Sequence, residues 1–471
     1  MDNKILFFFP KYFFKKAIIA FSIILFTVQV INLNNSMPLI WLIIASGTVL
    51  AFFYYLQSMS KSWSIYPDEI FRRKLFKRAL LIRVIFVVFL YAFFTIMYGQ
   101  PFESGAADAL FYDYMGGYLS DSILDGNFHL INALGFLDIA DRGYPLYLGV
   151  IYTVVFKSLL LARITNAFLG AWSCVLIYDF TKRNFNEQTA RIAGIMMMLL
   201  PNLIYYCGLT LKETLMVFIV ISFVNLADKL LRSKHIKIIQ VLLVTALGGS
   251  LFLFRTVLAA SMILSLFTSI IIISKRVSNR GRRIFIGFWI CVAAVAIFYS
   301  PLGNDINTLI SQKDNNQESQ MKNFSTRKGG NAFAKYGTKS IFLPMILVAP
   351  FPTLVDTQQE NQMMISGGVY TRNVYAFFVI LALITMYRQK LLRKHALIIV
   401  SLSAYLLILA SSGFALSERF HLPIVPFLVI LAAFGITQVN LKNSRYFLPY
   451  LILISLIIIG WNWFKLAGRG M

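Results

Sequence analysis

Acidic residues, cysteines and histidines are all scarce in this chain of 471 residues, with 20 Asp and Glu, three Cys and four His. Cys174, Cys207 and Cys291 are isolated and form no CxxC pair. That argues against a disulfide framework or a zinc ribbon and favours small residues packed between helices. The histidines show no metal-ligand spacing. Charged residues make up only 14% of the chain, too few to coat a soluble protein of this size. There is no internal repeat and no low-complexity tract.

Apolar residues are abundant at 58%, and they come in long blocks. "AIIAFSIILFTVQVI", "LIWLIIASGTVLAFFYYL" and "LLIRVIFVVFLYAFFTIMY" all fall within the first hundred residues. A hydrocarbon layer about 30 Å thick is crossed by roughly 20 residues of apolar helix. Such blocks recur to the C-terminus, so the expected fold is an all-α integral membrane protein, a polytopic helical bundle. The first block does not read as a cleavable signal peptide, because no small-residue cleavage site follows and a second span comes at once. The net charge of +24 does not indicate a nucleic-acid partner. Its Lys and Arg fall in short clusters between spans, where the positive-inside rule expects them.

Those clusters set the topology. Lys4, Lys11, Lys15 and Lys16 place the N-terminus in the cytoplasm. Spans near 17–33 and 38–57 form a hairpin, and "KSWSIYPDEIFRRKLFKR" is again cytoplasmic. The span near 79–98 then runs outward, leaving residues 99–143 external, with seven Asp or Glu residues and a single Arg. The segment 144–181 holds two short apolar stretches but must cross only once, so one of them lies in the interface or re-enters. Spans near 188–207, 213–231, 237–254, 256–274 and 284–301 follow. A polar external loop runs from 301 to 340, and the Pro-rich "SIFLPMILVAPFPTL" dips in without crossing. Spans near 368–387, 394–412, 420–438 and 446–465 bring the total to about 13. Four regions result: an N-terminal hairpin with its cytoplasmic loop (1–78), a transmembrane core containing the acidic loop (79–300), an external loop with the re-entrant segment (301–367), and the C-terminal helices (368–471).

The stretch "ADALFYDYMGGYLSDSILDG" is the acidic loop beside the membrane. Leu110, Tyr114, Gly117 and Tyr118 share one side at helical spacing, which predicts an amphipathic helix on the bilayer surface. Asp121 and Asp125 read as its solvated face. Asp108, at the helix start, is either an N-cap or a reactive carboxylate. Glu213, in "LTLKETL", is a second external acid at the mouth of two spans, costly there unless it caps or works. Lys212 beside it is either a snorkelling side chain or a phosphate contact. Arg255, Arg372 and Arg419 are external cations at the membrane edge, as are Lys322, Arg327, Lys328, Lys335 and Lys339 in the polar loop. Guanidinium groups grip phosphate bidentately. The alternatives are attraction to anionic headgroups and, for Arg419, pairing with the adjacent Glu418.

External carboxylates and arginines at bilayer depth fit a substrate with a lipid tail, an interfacial phosphate and a group to transfer. A carboxylate can take the proton of an acceptor hydroxyl, and a cation can stabilise the departing phosphate. That pair of roles describes glycosyl transfer from a polyprenyl-phosphate sugar.

Four stretches resemble the polytopic GT-C glycosyltransferases, the class of protein O-mannosyltransferases and aminoarabinose transferases. They are "ADALFYDYMG", "DRGYPLYLGVIY", the run from "ARITNAFLGAW" to "CGLTLKETL", and "SERFHLPIVPFLVILAAFGI", together covering 106–216 and 417–436. The resemblance implies a single membrane enzyme whose cavity faces the periplasm or exterior, and inverting transfer from a lipid-phosphate sugar to an envelope lipid, glycan or protein. By motif position it implies Asp108 as general base with Tyr112 four residues on, Glu213 as the second acid, and Arg419 as the phosphate's cation. Asp113 is the fallback base, and Asp141 and Arg142 are candidates for sugar or phosphate contacts. The chain departs from the class in two ways. Two spans precede the motif-bearing one, and Asp108 is followed by Ala109 rather than by a second acid, which leaves a divalent metal unsupported. The rival expectations are an O-antigen polymerase or ligase, which would use the basic 301–340 loop, and a lipid-linked-glycan flippase, which would need no reactive carboxylate.

Overall fold

The computed structural model describes residues 8–126, 134–135, 137–233, 235, 237–273, 345–357, 360–411 and 416–467. Among these the chain is all-helical, apart from one isolated bridge between Ser36 and Val355. Eight helices are long and apolar enough to cross a membrane, or nine if the bent pair Glu187–Leu199 and Pro201–Cys207 counts as one span. Three further expected spans are shorter apolar helices, Ile238–Leu253, Thr256–Ile272 and Ala396–Ala410. The expected crossing at 284–301 and the basic 301–340 loop lie outside the described residues.

In chain order the helices used below are α1 (Lys11–Ile31), α2 (Leu39–Ser62), α3 (Asp68–Tyr98), α4 (Ala107–Leu124), α5 (Gly143–Val154), α6 (Leu159–Asn184), α7 (Glu187–Leu199), α8 (Pro201–Cys207), α9 (Glu213–Arg232), α10 (Ile238–Ser250), α11 (Thr256–Ile273), α12 (Glu360–Met364), α13 (Ser366–Arg388), α14 (Ala396–Ser411), α15 (Glu418–His421), α16 (Val425–Thr437) and α17 (Phe447–Ala467). Local chemistry sets their ends. Pro10, Pro38 and Pro67 each stand immediately before a helix, where a missing N–H costs nothing. Ser158 and Asn186 cap α6 and α7 through their side chains. Gly99, at φ +72°, ends α3 in the left-handed region. The segment 144–181, expected to make one crossing from two apolar stretches, is the short α5 followed by the long α6.

The core lies between α13, α16 and their neighbours. Every residue of α16 is buried, which fits a helix that is hydrophobic all round. Backbones meet closely there: a Cβ on Gly435 would stand 1.9 Å from the Phe378 carbonyl oxygen. The Pro-rich stretch at 345–357 runs largely non-helical through buried surroundings. Its polar backbone is satisfied by side chains from three helices. Asn373 donates to the carbonyls of Val348 and Pro350 at 2.6 and 2.9 Å. Asn462 accepts from the Leu354 N–H at 2.6 Å and donates to the Pro352 carbonyl at 3.1 Å. Gln29 donates to the Leu354 carbonyl at 2.7 Å.

The two ends of the bundle differ. At one end Arg72 pairs with Asp179, Lys182 with Asp68, and Arg183 and Arg232 with Asp228. Helix α9, which carries Asp228 and Arg232, begins at the opposite end with Glu213.

Candidate functional site

Three segments far apart in sequence meet at that second end. Arg419, in the short helix α15, donates from Nη1 to Asp108 Oδ2 at 2.5 Å and from Nε to Glu213 Oε1. Glu213 opens α9, where a carboxylate also suits the helix dipole. Its side chain is fully buried, whereas that of Asp108 is 55% exposed and that of Arg419 25% exposed. Asp108 is not an N-cap. Ala106 occupies the cap of α4 without a side-chain bond, and the Asp108 carboxylate reaches the guanidinium instead. Arg255 approaches the same Glu213 oxygen at 3.8 Å, donates to the Tyr405 hydroxyl at 2.9 Å and lies over the Phe420 ring.

A second cluster adjoins the first. Lys212 donates to Asp141 Oδ1 at 2.6 Å and to the Ala140 carbonyl at 2.9 Å. The Tyr112 hydroxyl donates to the same Asp141 oxygen at 2.8 Å. Burial alone would push the Asp141 carboxyl up. The charge of Lys212, with the hydrogen bonds from Lys212 and Tyr112, outweighs burial and holds it below the usual carboxylate range. Burial lowers the Lys212 ammonium, against the pull of Asp141. Burial and the Asp141 charge push the Tyr112 phenol up. Lys212 is therefore committed to a neighbouring carboxylate and joins the acidic loop to the start of α9.

The remaining predicted residues take other partners. Asp113 accepts a hydrogen bond from Tyr152 at 2.5 Å, which ties α4 to α5. Arg142 donates to the Leu137 carbonyl at 2.9 Å. Arg372 is buried, with 1% exposure, and faces Glu418 at 2.7 Å and His421 Nδ1 at 2.7 Å. Glu418 thus pairs with Arg372 rather than with its neighbour Arg419, and it also accepts from Asn202 at 2.9 Å. The pairing leaves Arg419 to the two acids from other segments. The loop cations from Lys322 to Lys339 lie outside the described residues.

Helix α4 exposes three of the four residues expected to share a side, and Phe111 with them. Leu110, Phe111, Tyr114 and Tyr118 are exposed. Gly117 is instead buried, and Lys157 crosses over it. Gly116 packs on Leu148 and Gly149 on Leu119, so α4 and α5 approach closely through glycine.

Glu103, Arg163 and Asn202 were not among the site residues expected from the sequence. Glu103 belongs to the same acid-rich loop as Asp108, yet its burial (5% exposed) had no sequence signal. Burial pushes its carboxyl up, against the nearby charges of Arg163 and Arg419. Among the described residues, no group of three His, Cys, Asp or Glu stands close enough to hold a metal ion. No protein-family model matches the chain, and no curated protein matches it.

Proposed function

We propose that the chain is a membrane glycosyltransferase of the GT-C kind, moving a sugar from a polyprenyl-phosphate carrier to an envelope acceptor. The observation that carries this reading is the bridge Asp108–Arg419–Glu213. It joins positions 311 and 206 residues apart and puts an acid and a guanidinium in direct contact. The basic clusters at the opposite end support a location facing the exterior or periplasm.

The two carboxylates hold Arg419 unequally. Glu213 is buried and fixes one edge of the guanidinium. Asp108 is half exposed and holds the other. An arriving phosphate competes best for the exposed edge and displaces Asp108. The freed carboxylate then accepts the proton of the acceptor hydroxyl while that oxygen attacks the anomeric carbon. The bond from the anomeric carbon to the phosphate oxygen breaks, and its electron pair leaves with the phosphate. Arg419, backed by Arg255, stabilises that charge. The leaving phosphate is a weak base and needs no general acid. Attack opposite the leaving group inverts the anomeric centre.

The test is Asp108→Asn in purified protein supplied with a radiolabelled polyprenyl-phosphate sugar. Transfer falls by a factor of about 10² or more, as expected for loss of a general base, while donor binding and the elution profile persist. An active variant overturns the assignment. If Asp108→Asn stays active while neutralising Lys322 to Lys339 stops the reaction, a polymerase or ligase is favoured. Glycan crossing the membrane with no glycosidic bond formed favours a flippase.

A further inference from the structure

Arg419 stands on α15, and α15 is loosely joined to the helix that follows it. The 3-10 turn Leu422–Ile424 separates it from α16. Pro423 and Pro426 have no N–H, so the rungs that would reach back to the Arg419 and Leu422 carbonyls are missing. A tightened turn inside a helix is a place where one part can rotate against the other. The direction of Arg419 therefore depends on what holds its neighbours.

One buried side chain holds two of them. Arg372, 1% exposed, donates from Nη1 to Glu418 Oε2 at 2.7 Å, and its Nη2 meets His421 Nδ1 at 2.7 Å. Arginine only donates, so that ring nitrogen accepts. Positions 418 and 421 are three apart and share one side of the helix. A planar fork gripping both points fixes the rotation of α15 as well as its place. Residue 419 lies about 100° further round the axis than 418, on the side where Asp108 and Glu213 meet it. Two more helices add holds. Asn202 of α8 donates to Glu418 Oε1 at 2.9 Å. It reaches in because Gly368, one turn before Arg372 on α13, has no side chain; a Cβ there would stand 1.8 Å from Asn202 Oδ1. Tyr405 of α14 donates to the Phe420 carbonyl at 3.0 Å.

We infer that Arg372 is a positioning residue: through Glu418 and His421 it holds α15 at the rotation that presents Arg419 to an incoming phosphate. The inference rests on the reading of Arg419 as the phosphate's cation and adds what aims that cation. Arg372 itself meets no ligand, because it is enclosed and both of its terminal nitrogens are engaged. A lysine at 372 would keep the charge beside Glu418 but not the fork that reaches His421 as well.

The experiment compares the binding of farnesyl phosphate with that of farnesol, which lacks the charge, to the purified full-length protein in lipid nanodiscs. The readout is the ratio of the two affinities, which a general loosening of the fold does not move. The variants are Arg419→Gln, Arg372→Lys, and the double variant Arg372→Gln with Glu418→Gln, which removes both charges of the buried pair together. Elution profile and unfolding temperature confirm that each is folded. Wild type is expected to favour the phosphate, and Arg419→Gln to lose that preference. The double variant should lose about tenfold of the preference and Arg372→Lys a smaller part, while farnesol binds all four proteins alike. A folded double variant with the wild-type ratio overturns the inference, and so does Arg372→Lys with that ratio, since charge balance alone then suffices. Equal losses for phosphate and alcohol overturn it too, because Arg372 then only supports the fold. A wild type with no preference for the phosphate takes away the role of Arg419 and the inference with it. Failure of the transferase reading shows separately, as full transfer by Asp108→Asn.

Discussion

Replacing Arg419 with Gln removes the cation shared by two carboxylates, and the structure fixes which loss dominates. Glu213 is fully buried, and its pair with Arg419 cannot be replaced by water. Breaking a buried pair costs about 3–5 kcal/mol, because the surviving charge is left uncompensated. Arg255 remains at 3.8 Å from the same oxygen, which places the loss at the low end, about 3 kcal/mol. Asp108, at 55% exposure, is solvated by water when its partner goes. Its pair is worth about 0.2–1 kcal/mol. Three outcomes follow in denaturant or thermal unfolding of the protein in lipid nanodiscs. Asp108→Asn leaves stability within about 1 kcal/mol of wild type. Arg419→Gln lowers it by about 3 kcal/mol. The double variant Glu213→Gln with Arg419→Gln recovers much of that loss, because no buried charge remains, giving a coupling of about 2 kcal/mol. An Asp108→Asn variant as damaged as Arg419→Gln, or a double variant no more stable than Arg419→Gln alone, would refute this ranking of the two pairs.

Three other outcomes can be checked. Gly435→Ala drives a methyl into the Phe378 carbonyl oxygen, 1.9 Å from the ideal Cβ; overpacking against backbone should cost at least about 1–3 kcal/mol, read as a collapse in the yield of monodisperse protein. Asn373→Leu strands the carbonyls of Val348 and Pro350 and should lower stability by about 2 kcal/mol or more, visible as faster proteolysis of the 345–357 stretch. The third outcome concerns pH. The Asp141 carboxyl is held low in the folded state, so its contribution is present above the ordinary carboxylate range and is lost as pH falls through the lowered value. The Glu103 carboxyl is held high, so its contribution is present below the ordinary glutamate value and fades as pH rises through the raised one. Asp141→Asn should therefore flatten the acid limb of the unfolding-temperature profile and Glu103→Gln the limb above it; unchanged limbs would contradict both assignments.

The helical membrane architecture was legible because long apolar blocks carry their own signal. The start of α4, with Asp108 in its first turn, was legible because the stretch combines helical spacing with an acid at its head. Pairings across the fold were not. Adjacent Glu418 and Arg419 invite a pair, yet successive helix positions do not face each other. Glu418 turns to Arg372 and Arg419 to Asp108 and Glu213. The deep positions of Arg163 and Glu103 were equally hidden, since a charge in a loop or at a helix start reads as solvated until the elements packed over it are known. The span count was least legible where helices are short. α10, α11 and α14 are apolar but brief, and hydropathy alone does not separate a short crossing from a buried segment.

The acidic loop can now be resolved into roles by geometry rather than by composition. Its seven carboxylates are Glu103, Asp108, Asp113, Asp121, Asp125, Asp138 and Asp141. Asp113 is held by Tyr152 and Asp141 by Tyr112 and Lys212, so both fasten helices and loops together. Glu103 is buried away from bulk solvent. Asp121 is exposed on the far part of α4, Asp125 just past its end, and Asp138 before the Ile139–Asp141 turn; Asp121 lies 13 residues beyond Asp108, about 20 Å at 1.5 Å per residue. On the proposed transferase reading, a base would have to meet an acceptor arriving from solvent and also stand beside the cation that holds the leaving group. Asp108 meets both conditions, being half exposed and in contact with Arg419. The same contact restrains it, because a carboxylate bound to a guanidinium is a poor base. An anionic donor that takes over the exposed edge of Arg419 releases that restraint on arrival. On that reading proton abstraction would be tied to donor binding, and an acceptor entering first would meet a carboxylate still engaged with Arg419.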